Sequence, residues 1–344
     1  MKSIGWMITS STQNIGDDFQ CIAARQFVGE ISEDKWIDRE SMNLYRGEPL
    51  SIIANGWYIH EPKNWPPSSD INPLLTSIHI SNTMQKSGRV PSHFMLSKES
   101  VDYFNQFSPV GGRDTFTAKM LEKAGVSSYF SGCLTMTLEG FGKERKDYIC
   151  LIDPTKELEE FIRNQTKREV LVVRPEKNDW PQNYAERIKQ AEELLKVYGE
   201  AHMVITGRLH GALPSLALGT PVLLLEGKYG DERYEGLKYF VNACTLQELF
   251  SGNYPLDLEK PLENPKEYLV VRDNLKKIAR AFASHKLDTI DFHQIDRENR
   301  AALAEARERV IQFRKVHRLE PIWFRELKSN IRYKVRSLEN IRKG

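Results

Sequence analysis

One segment in the second half of the chain constrains the fold more than any other. Residues 204–225 have the sequence VITGRLHGALPSLALGTPVLLL. A β-rich run, a tight turn, a short apolar helix, a glycine stop and a second β-rich run follow one another, which predicts a strand–helix–strand unit. Because a helical crossover joins parallel strands, this segment predicts an α/β fold with a parallel sheet.

The same alternation continues along most of the chain. Residues 1–140 predict strands at 4–9, 50–54, 76–80 and 128–130, helices at 17–27, 98–107 and 115–124, and a turn at 110–113. After the charged stretch 143–147, strands are predicted at 148–152, 169–173, 202–206 and 221–225, with helices at 158–164, 182–198 and 212–218. The predicted domains are an N-terminal Rossmann-like lobe at 1–142, a C-terminal Rossmann-like lobe at 143–290 and a helical tail at 291–344.

Composition favours a globular protein of the cytoplasm. Hydrophobic residues make up 40% and charged residues 28% of the chain, and no apolar run reaches the roughly 20 residues of a membrane-spanning helix. The N-terminus leads directly into a predicted strand, so we expect neither secretion nor membrane insertion. Four scattered cysteines without CxxC spacing predict free buried thiols and no cysteine-based metal site. A net charge of +2 does not favour nucleic-acid binding.

The turn inside residues 204–225 carries two side chains suited to proton transfer on an anion. Arg208 and His210 fall at the carboxyl end of a strand, beside a helix N-terminus that attracts anions. An arginine offers a forked donor to phosphate or carboxylate, and a histidine exchanges a proton near neutral pH. We predict Arg208 as a substrate ligand and His210 as the catalytic acid. The alternative is structural, with the arginine paired to a buried carboxylate and the histidine capping the turn.

A second polar turn follows the first predicted strand. Asn14 and Gly16 supply a tight turn, and Asp17 or Asp18 can cap the helix that follows. Capping is the favoured role of Asp18. Asp17 can instead face a crevice shared by the lobes and act as the base for a sugar hydroxyl. We predict Asp17 as a catalytic residue and Asn14 and Gly16 as substrate contacts.

Two further arginines lie at the ends of predicted elements. Arg113 precedes a helix, where Asp114 is expected to cap or to pair with Arg113 rather than to catalyse. Arg174 ends the strand 169–173 and points to the same crevice as Arg208, where two guanidinium groups match a ligand with both phosphate and carboxylate. We predict Arg113 and Arg174 as substrate ligands, and a solvated surface arginine is the alternative for Arg174. No metal is predicted, because metal and nucleotide motifs such as HExxH, DxD and the Walker loop are missing from the sequence.

Two segments have open interpretations. Residues 57–72, rich in proline, tryptophan and asparagine, predict an irregular connection that is either a site loop with aromatics for sugar rings or a packed surface loop. Residues 301–344 predict two amphipathic helices separated by Pro321, with twelve lysines and arginines against five glutamates. A basic helix that begins with Trp323 and Phe324 fits an anionic membrane surface, and a helix packed on the protein or a partner fits equally.

Ordered motifs in residues 1–230 resemble those of the polysaccharide pyruvyl transferase family. The matching positions, of which the Arg-Leu-His block is the most specific, are Asn14-x-Gly16-Asp17, Arg113-Asp114, Arg174-Pro175, Arg208-Leu209-His210 and Gly219-x-Pro221. This resemblance implies a GT-B-like fold, with two lobes facing a central cleft, and pyruvyl transfer from phosphoenolpyruvate without a metal or other cofactor. The acceptor it implies is a lipid-linked or nucleotide-linked hexose of a cell-surface glycan, which receives a cyclic ketal.

Two departures from the family pattern affect the acceptor side and the size of the second sheet. Residues 55–58 stand where the family often has a run of glycines, and the spacing between Arg174 and Arg208 is short by about one strand–helix–strand unit. Two other functions fit the same features. One is a GT-B glycosyltransferase that uses a nucleotide sugar, and the other is a non-catalytic glycan-binding subunit that recruits partners at the inner face of the membrane.

Overall fold

The computed structural model describes residues 3–59, 61–85, 88–176, 181, 183–227 and 232–326. Within them the fold is mixed α/β, as the sequence predicts, and every pairing between strands of its sheets is parallel. The predicted domain boundaries stay predictions.

The first half of the chain supplies one five-stranded sheet and one strand pair. The strands are β1 (Ser3–Ile4), β2 (Trp6–Ile8), β3 (Trp36–Asp38), β4 (Leu50–Tyr58), β5 (Ile71–Ile80), β6 (Val110–Gly112) and β7 (Ser128–Phe130). The five-stranded sheet has the order β1-β4-β5-β6-β7, and β2 pairs with β3. Nearly all residues of β4 and β5 are buried, as expected of parallel strands covered on both faces.

The second half supplies another five-stranded sheet. Its strands are β8 (Tyr148–Ile152), β9 (Glu169–Val173), β10 (Met203–Thr206), β11 (Val222–Glu226) and β12 (Asn242–Thr245). Their order is β12-β11-β10-β8-β9, with β10 in register with β8 from Met203 opposite Ile149 to Thr206 opposite Ile152. The order along the chain and the order in the sheet differ, so crossover connections bring the carboxyl ends of all five strands to one edge.

Ten helices connect and cover the sheets within the described ranges. They are α1 (Ile15–Val28), α2 (Pro91–Met95), α3 (Lys98–Gln106), α4 (Thr115–Lys123), α5 (Lys156–Arg163), α6 (Tyr184–Glu200), α7 (Leu209–Ala217), α8 (Leu246–Phe250), α9 (Tyr268–Ala283) and α10 (Phe292–Val316). Local side chains set several of their ends. Thr155 caps α5 and Asn183 caps α6, while Gly219, with φ 74°, follows the end of α7 as predicted.

One apolar cluster is shared by the two halves of the chain. Helix α1 packs against α6, α7 and α9, and buried side chains such as Phe19, Leu134, Leu213 and Leu275 belong to the same cluster. All four cysteines are free and buried, as predicted. The shared core fixes the start of α1 relative to the start of α7, which positions the candidate site.

Two local predictions are wrong. Residues Val110–Gly112 form strand β6 rather than a turn, because their two glycines serve close packing and not chain reversal: a Cβ atom at Gly112 would be 2.6 Å from the backbone N of Ala118. The irregular connection predicted at 57–72 is shorter than expected, since β4 continues to Tyr58 and β5 begins at Ile71.

The beginning of the predicted tail packs on the protein. Helix α10 begins at Phe292 and contacts α9 and β7, and Asn299 Nδ2 donates to the Phe130 carbonyl at 2.7 Å. Residues 322–326 are helical, and the 4% exposed Arg325 pairs with Glu226 at 2.5 Å. The remainder of the second predicted helix, from residue 327 onward, lies outside the described residues, so membrane contact stays a prediction.

Candidate active site

Segments that follow β2, β7 and β10 meet around His210. This residue lies in the first turn of α7, and its Nε2 atom is 3.9 Å from the Sγ atom of Cys133, which follows β7. The first turn of α1 approaches from another side, because a Cβ atom added at Gly16 would be 3.0 Å from the Cβ atom of His210. The structure therefore brings together two predicted site residues, His210 and Gly16, from the two halves of the chain.

The turn before α7 is shaped by small and polar residues. Thr206, the last residue of β10, accepts a hydrogen bond on Oγ1 from the backbone N–H of Arg208 at 2.9 Å. A Cβ atom at Gly211 would be 2.9 Å from Ile152 Cδ1, so glycine lets α7 lie close to β8. Arg208 takes the N-cap position without a side-chain cap. Its guanidinium group is therefore available for ion pairs away from the helix.

Arg208 and Arg174 share one carboxylate. The Arg208 Nη2 atom is 2.7 Å from Asp153 Oδ2 and 2.9 Å from Glu176 Oε2, and Arg174 Nη1 is 3.5 Å from Asp153 Oδ1. Asp153 follows β8 with φ 54°, a left-handed conformation that aspartate tolerates better than most residues. The structure thus places the two predicted anion ligands together, and Arg208 pairs with exposed carboxylates rather than with the buried one of the alternative interpretation.

The start of α1 corrects one predicted role. Asn14 caps the helix, with Oδ1 accepting from the Gly16 N–H at 3.1 Å. The prediction that Asp18 caps is wrong: its buried carboxylate accepts from Arg187 Nε at 2.7 Å and from the Tyr184 hydroxyl at 2.8 Å, both in α6. Asp18 is the fourth residue of α1, past the usual capping position, and it neutralises a buried cation instead. Burial raises the pKa of Asp18 to about 6 although Arg187 opposes the rise.

Asp17 is half-buried, and both of its carboxylate oxygens accept hydrogen bonds. Oδ2 accepts from Thr12 Oγ1 at 2.8 Å, and Oδ1 accepts from Gln20 Nε2 at 3.4 Å. The role of Asp17 as the base stays a prediction.

Arg113 is a buried cation with uncommitted donors. It is 2% exposed, follows β6, and its Nε atom is 3.6 Å from Asp114 Oδ2. Neither Nε nor Nη2 has a hydrogen-bond partner among the described residues. Asp114 caps α4 as predicted, accepting from the Thr117 N–H at 2.8 Å. Because an unmatched buried N–H is energetically unfavourable, Arg113 is suited to receive an anion.

Burial and the charges of several cations keep the imidazole of His210 neutral. Burial is the main cause that lowers the pKa of His210 well below its usual range, and the charges of Arg113, Arg233 and Arg208 lower it further. The same arrangement favours an incoming anion, because a negative ligand would compensate the surrounding positive charge.

Three further residues lie at this site and were not predicted from the sequence: His79, Cys133 and Arg233. His79 is fully buried and binds Asp114 through Nδ1 at 2.7 Å. The Arg233 Cζ atom is 5.8 Å from the ring centroid of Trp57, and Trp57 in turn lies 5.7 Å from the His79 ring. His79 and Cys133 lie at or just after the end of a strand, and this position is the feature of the sequence that could have identified them as site residues.

The aromatic residues of the 57–72 segment divide between the two interpretations given for it. Trp57 lies at the site beside His79 and Arg233. Trp65 packs away from it, with its ring centroid 5.0 Å from that of Tyr103 and 5.1 Å from that of Phe104.

A comparison with protein-family models identifies the family of the chain. The model of the polysaccharide pyruvyl transferase family matches residues 14–229, which is more than half of the 344-residue chain. The chain belongs to the polysaccharide pyruvyl transferase family. All seven predicted site residues fall inside the matched region. A search of curated proteins finds no match.

Membership supports polysaccharide pyruvylation as the general activity, with a polysaccharide as the acceptor substrate. Of the helices that the structure describes, none is long and apolar enough to cross a membrane.

Proposed function

We propose that this chain transfers the pyruvyl group of phosphoenolpyruvate to two hydroxyls of a hexose in a cell-surface polysaccharide precursor, forming a cyclic ketal. The observation that supports this donor is Arg113, a 2% exposed arginine whose Nε and Nη2 atoms lack partners among the described residues. A buried guanidinium group with free donors is stabilised by a forked anion such as phosphate or carboxylate. The charge of Arg113 lowers the pKa of His210, so an anion held by Arg113 would act on the group that is proposed to transfer the proton.

Phosphoenolpyruvate carries both a phosphate and a carboxylate, so more than one arginine is needed. Arg208 and Arg174 are the next candidates, and their shared partner Asp153 is 37% exposed. An exposed ion pair contributes little, about 0–1 kcal/mol, so a multiply charged ligand can displace it. Arg113 would then hold one anionic group, and Arg208 with Arg174 the other.

His210 would protonate the methylene carbon of the donor. This makes the neighbouring carbon cationic in character, and a sugar hydroxyl attacks it. Phosphate then departs, and the second hydroxyl closes the ketal. In the ligand-free protein, burial and the surrounding arginines depress the pKa of His210, so the imidazole is neutral. The negative charge of the bound donor raises that pKa again. Donor binding therefore favours protonation of His210, which can then transfer its proton to the donor.

The two parallel sheets support a GT-B-like arrangement as part of the proposal. Their carboxyl ends approach each other at Gly16, Cys133 and His210, which is where a donor and an acceptor would meet in such a fold. The proposal requires no metal or other cofactor, because arginines supply the positive charge. We also propose a cytoplasmic location, with the basic tail at the inner face of the membrane near a lipid-linked acceptor.

Phosphate release tests the proposal. Purified protein is incubated with phosphoenolpyruvate and a panel of lipid-linked, nucleotide-linked or aryl hexosides, beside Arg113→Gln and a matched control, Arg163→Gln. Arg163 pairs with Glu159 on the surface of α5, away from the site. We expect acceptor-dependent release in the wild type and the control, and release reduced by at least about 10²-fold in Arg113→Gln. Equal release from Arg113→Gln, or release in no case while a nucleotide sugar is consumed, would contradict the proposal.

A further inference from the structure

His79 and Asp114 form a buried imidazole–carboxylate pair at the carboxyl end of β5. Both side chains are fully buried, and His79 Nδ1 is 2.7 Å from Asp114 Oδ2. The other carboxylate oxygen of Asp114 accepts from the Thr117 N–H at 2.8 Å, which fixes its orientation. Because a carboxylate only accepts, Nδ1 carries the proton of the neutral ring, and Nε2 presents a lone pair.

The lone pair on His79 Nε2 is uncommitted. Within the part of the chain that the structure describes, this buried atom has no hydrogen-bond partner. Leaving a buried acceptor unmatched is energetically unfavourable, and such atoms are rare in proteins. A ligand that donates a hydrogen bond would remove this penalty, and a hydroxyl group is such a ligand.

The charges around His79 favour its neutral form. Arg113 and Arg233 face it as cations, Asp114 faces it as an anion, and Thr117 Oγ1 lies 3.3 Å from Nδ1. Burial lowers the pKa of His79, and the two arginines add to the effect against the opposing carboxylate. A neutral imidazole that already donates through Nδ1 to a carboxylate has the arrangement of a general base, since the carboxylate stabilises the imidazolium formed after proton transfer.

We propose that His79, oriented by Asp114, is the base that removes the proton from the acceptor hydroxyl that attacks the donor. This inference rests on the proposed function and assigns to His79 the role predicted for Asp17. The O–H bond breaks, its proton goes to His79 Nε2, and the oxygen bonds to the central carbon of phosphoenolpyruvate as His210 supplies a proton to the methylene carbon. The C–O bond to phosphate then breaks, the second hydroxyl closes the ring, and its proton leaves with the phosphate.

The contacts of the two candidates favour His79 over Asp17. Both carboxylate oxygens of Asp17 already accept hydrogen bonds, from Thr12 and Gln20. The acceptor atom of His79 is uncommitted, and its ring is fixed by Asp114. Preorganised, unmatched acceptors are what a reacting hydroxyl requires.

Two variants test the role of the pair, and a third is the control. Asp114→Asn keeps a good capping residue at the start of α4, but its amide donates to Nδ1, so the proton of His79 moves to Nε2 and the base is lost. His79→Gln removes the imidazole. His93→Gln is the matched control, because His93 is exposed on α2.

Steady-state rates are measured with an accepted hexoside, and phosphoenolpyruvate binding is measured by calorimetry. For both variants we expect kcat to fall by about 10²- to 10⁴-fold while donor affinity changes by less than about threefold. We also expect the acid limb of the wild-type pH–rate profile, which reports protonation of the base, to disappear in His79→Gln. A purely structural role would not remove that limb.

The remaining outcomes separate this inference from the proposed function. A wild-type protein that turns over no acceptor would overturn the proposed function itself. Wild-type turnover together with unchanged kcat in both variants would overturn only the role of His79. Loss of donor binding in parallel with kcat would also overturn it, by placing His79 in the anion site rather than beside the acceptor.

Discussion

Replacing Arg113 by methionine is expected to change the stability of the ligand-free protein little and to abolish donor binding. The side chain is 2% exposed, two of its guanidinium nitrogens have no partner among the described residues, and its nearest carboxylate contact is 3.6 Å long. Each unmatched buried N–H costs about 1–3 kcal/mol. Asp114 keeps its hydrogen bonds to His79 and Thr117 in the variant but loses its buried cationic partner.

Two opposing contributions set the effect of Arg113→Met on the unfolding free energy. Removal of two unmatched N–H groups contributes about 2–6 kcal/mol, and loss of the buried pair with Asp114 costs about 3–5 kcal/mol, so the two nearly cancel. For a chain of this length we therefore expect Tm to change by less than about 4 °C. In the wild type, phosphoenolpyruvate at about 100 times Kd adds about 2.7 kcal/mol, a rise in Tm of roughly 4 °C. This ligand-induced rise should vanish in the variant.

Thermal unfolding with and without phosphoenolpyruvate measures both effects. Arg163→Met, on the exposed surface of α5, is the control and should keep the wild-type Tm and the ligand-induced rise. If Arg113→Met lowered Tm by several degrees and kept the rise with phosphoenolpyruvate, Arg113 would be a structural residue and not an anion ligand. That result would refute the reasoning from its uncommitted donors.

Three further predictions concern Gly16, His210 and the tail. Gly16→Ala places a Cβ atom 3.0 Å from that of His210, so we expect His210 to shift and kcat to fall by about tenfold. The stability of α1 should be kept or improved by up to about 1 kcal/mol. Unchanged kcat in a steady-state assay would show that α7 tolerates the shift. The pKa of His210 is lower in the folded than in the unfolded protein, so the unfolded state binds more protons below about pH 6. The unfolding free energy therefore decreases as the pH is lowered through that range. The difference in unfolding free energy between wild type and His210→Gln should therefore shrink by about 1.4 kcal/mol per pH unit in that range, as measured by urea denaturation, and a constant difference would contradict it. Removal of residues 327–344 should abolish flotation with anionic liposomes. Truncation after residue 326 is preferable to truncation at Pro321, because it keeps the buried pair of Arg325 and Glu226. Equal flotation of the full chain and the truncated protein would exclude the tail as the anchor.

The local sequence pattern was sufficient to predict most strands of the two five-stranded sheets. The strands predicted at 128–130, 148–152 and 169–173 coincide with β7, β8 and β9, because short apolar runs between polar turns are a local signal. Strand β6 was missed because glycines have low β propensity, and these two are explained by packing against Ala118 and Ser131, which the sequence does not place. Strand β12 was also missed.

The site was predictable where residues follow strands and unpredictable where distant residues pair. Arg208 and His210 follow a predicted strand and were identified from that position, and Arg113 was identified from its position before a predicted helix. The importance of His79 depends on Asp114, 35 residues away, and on a missing partner at Nε2. The carboxylate partners of Arg208, Asp153 and Glu176, likewise come from other strand ends. Such pairings arise from the tertiary structure, so no local pattern indicates them.

The fate of the donor carbon tests the proposed activity most directly. Phosphoenolpyruvate labelled in its three carbons is incubated with the wild-type protein and an accepted hexoside, and the products are separated by mass. The proposal predicts that the label enters the hexoside as a cyclic ketal, with one phosphate released for each ketal formed, and that neither product forms with Arg113→Gln. Recovery of all the label in phosphoenolpyruvate, with a hexoside extended from a nucleotide sugar, would contradict it.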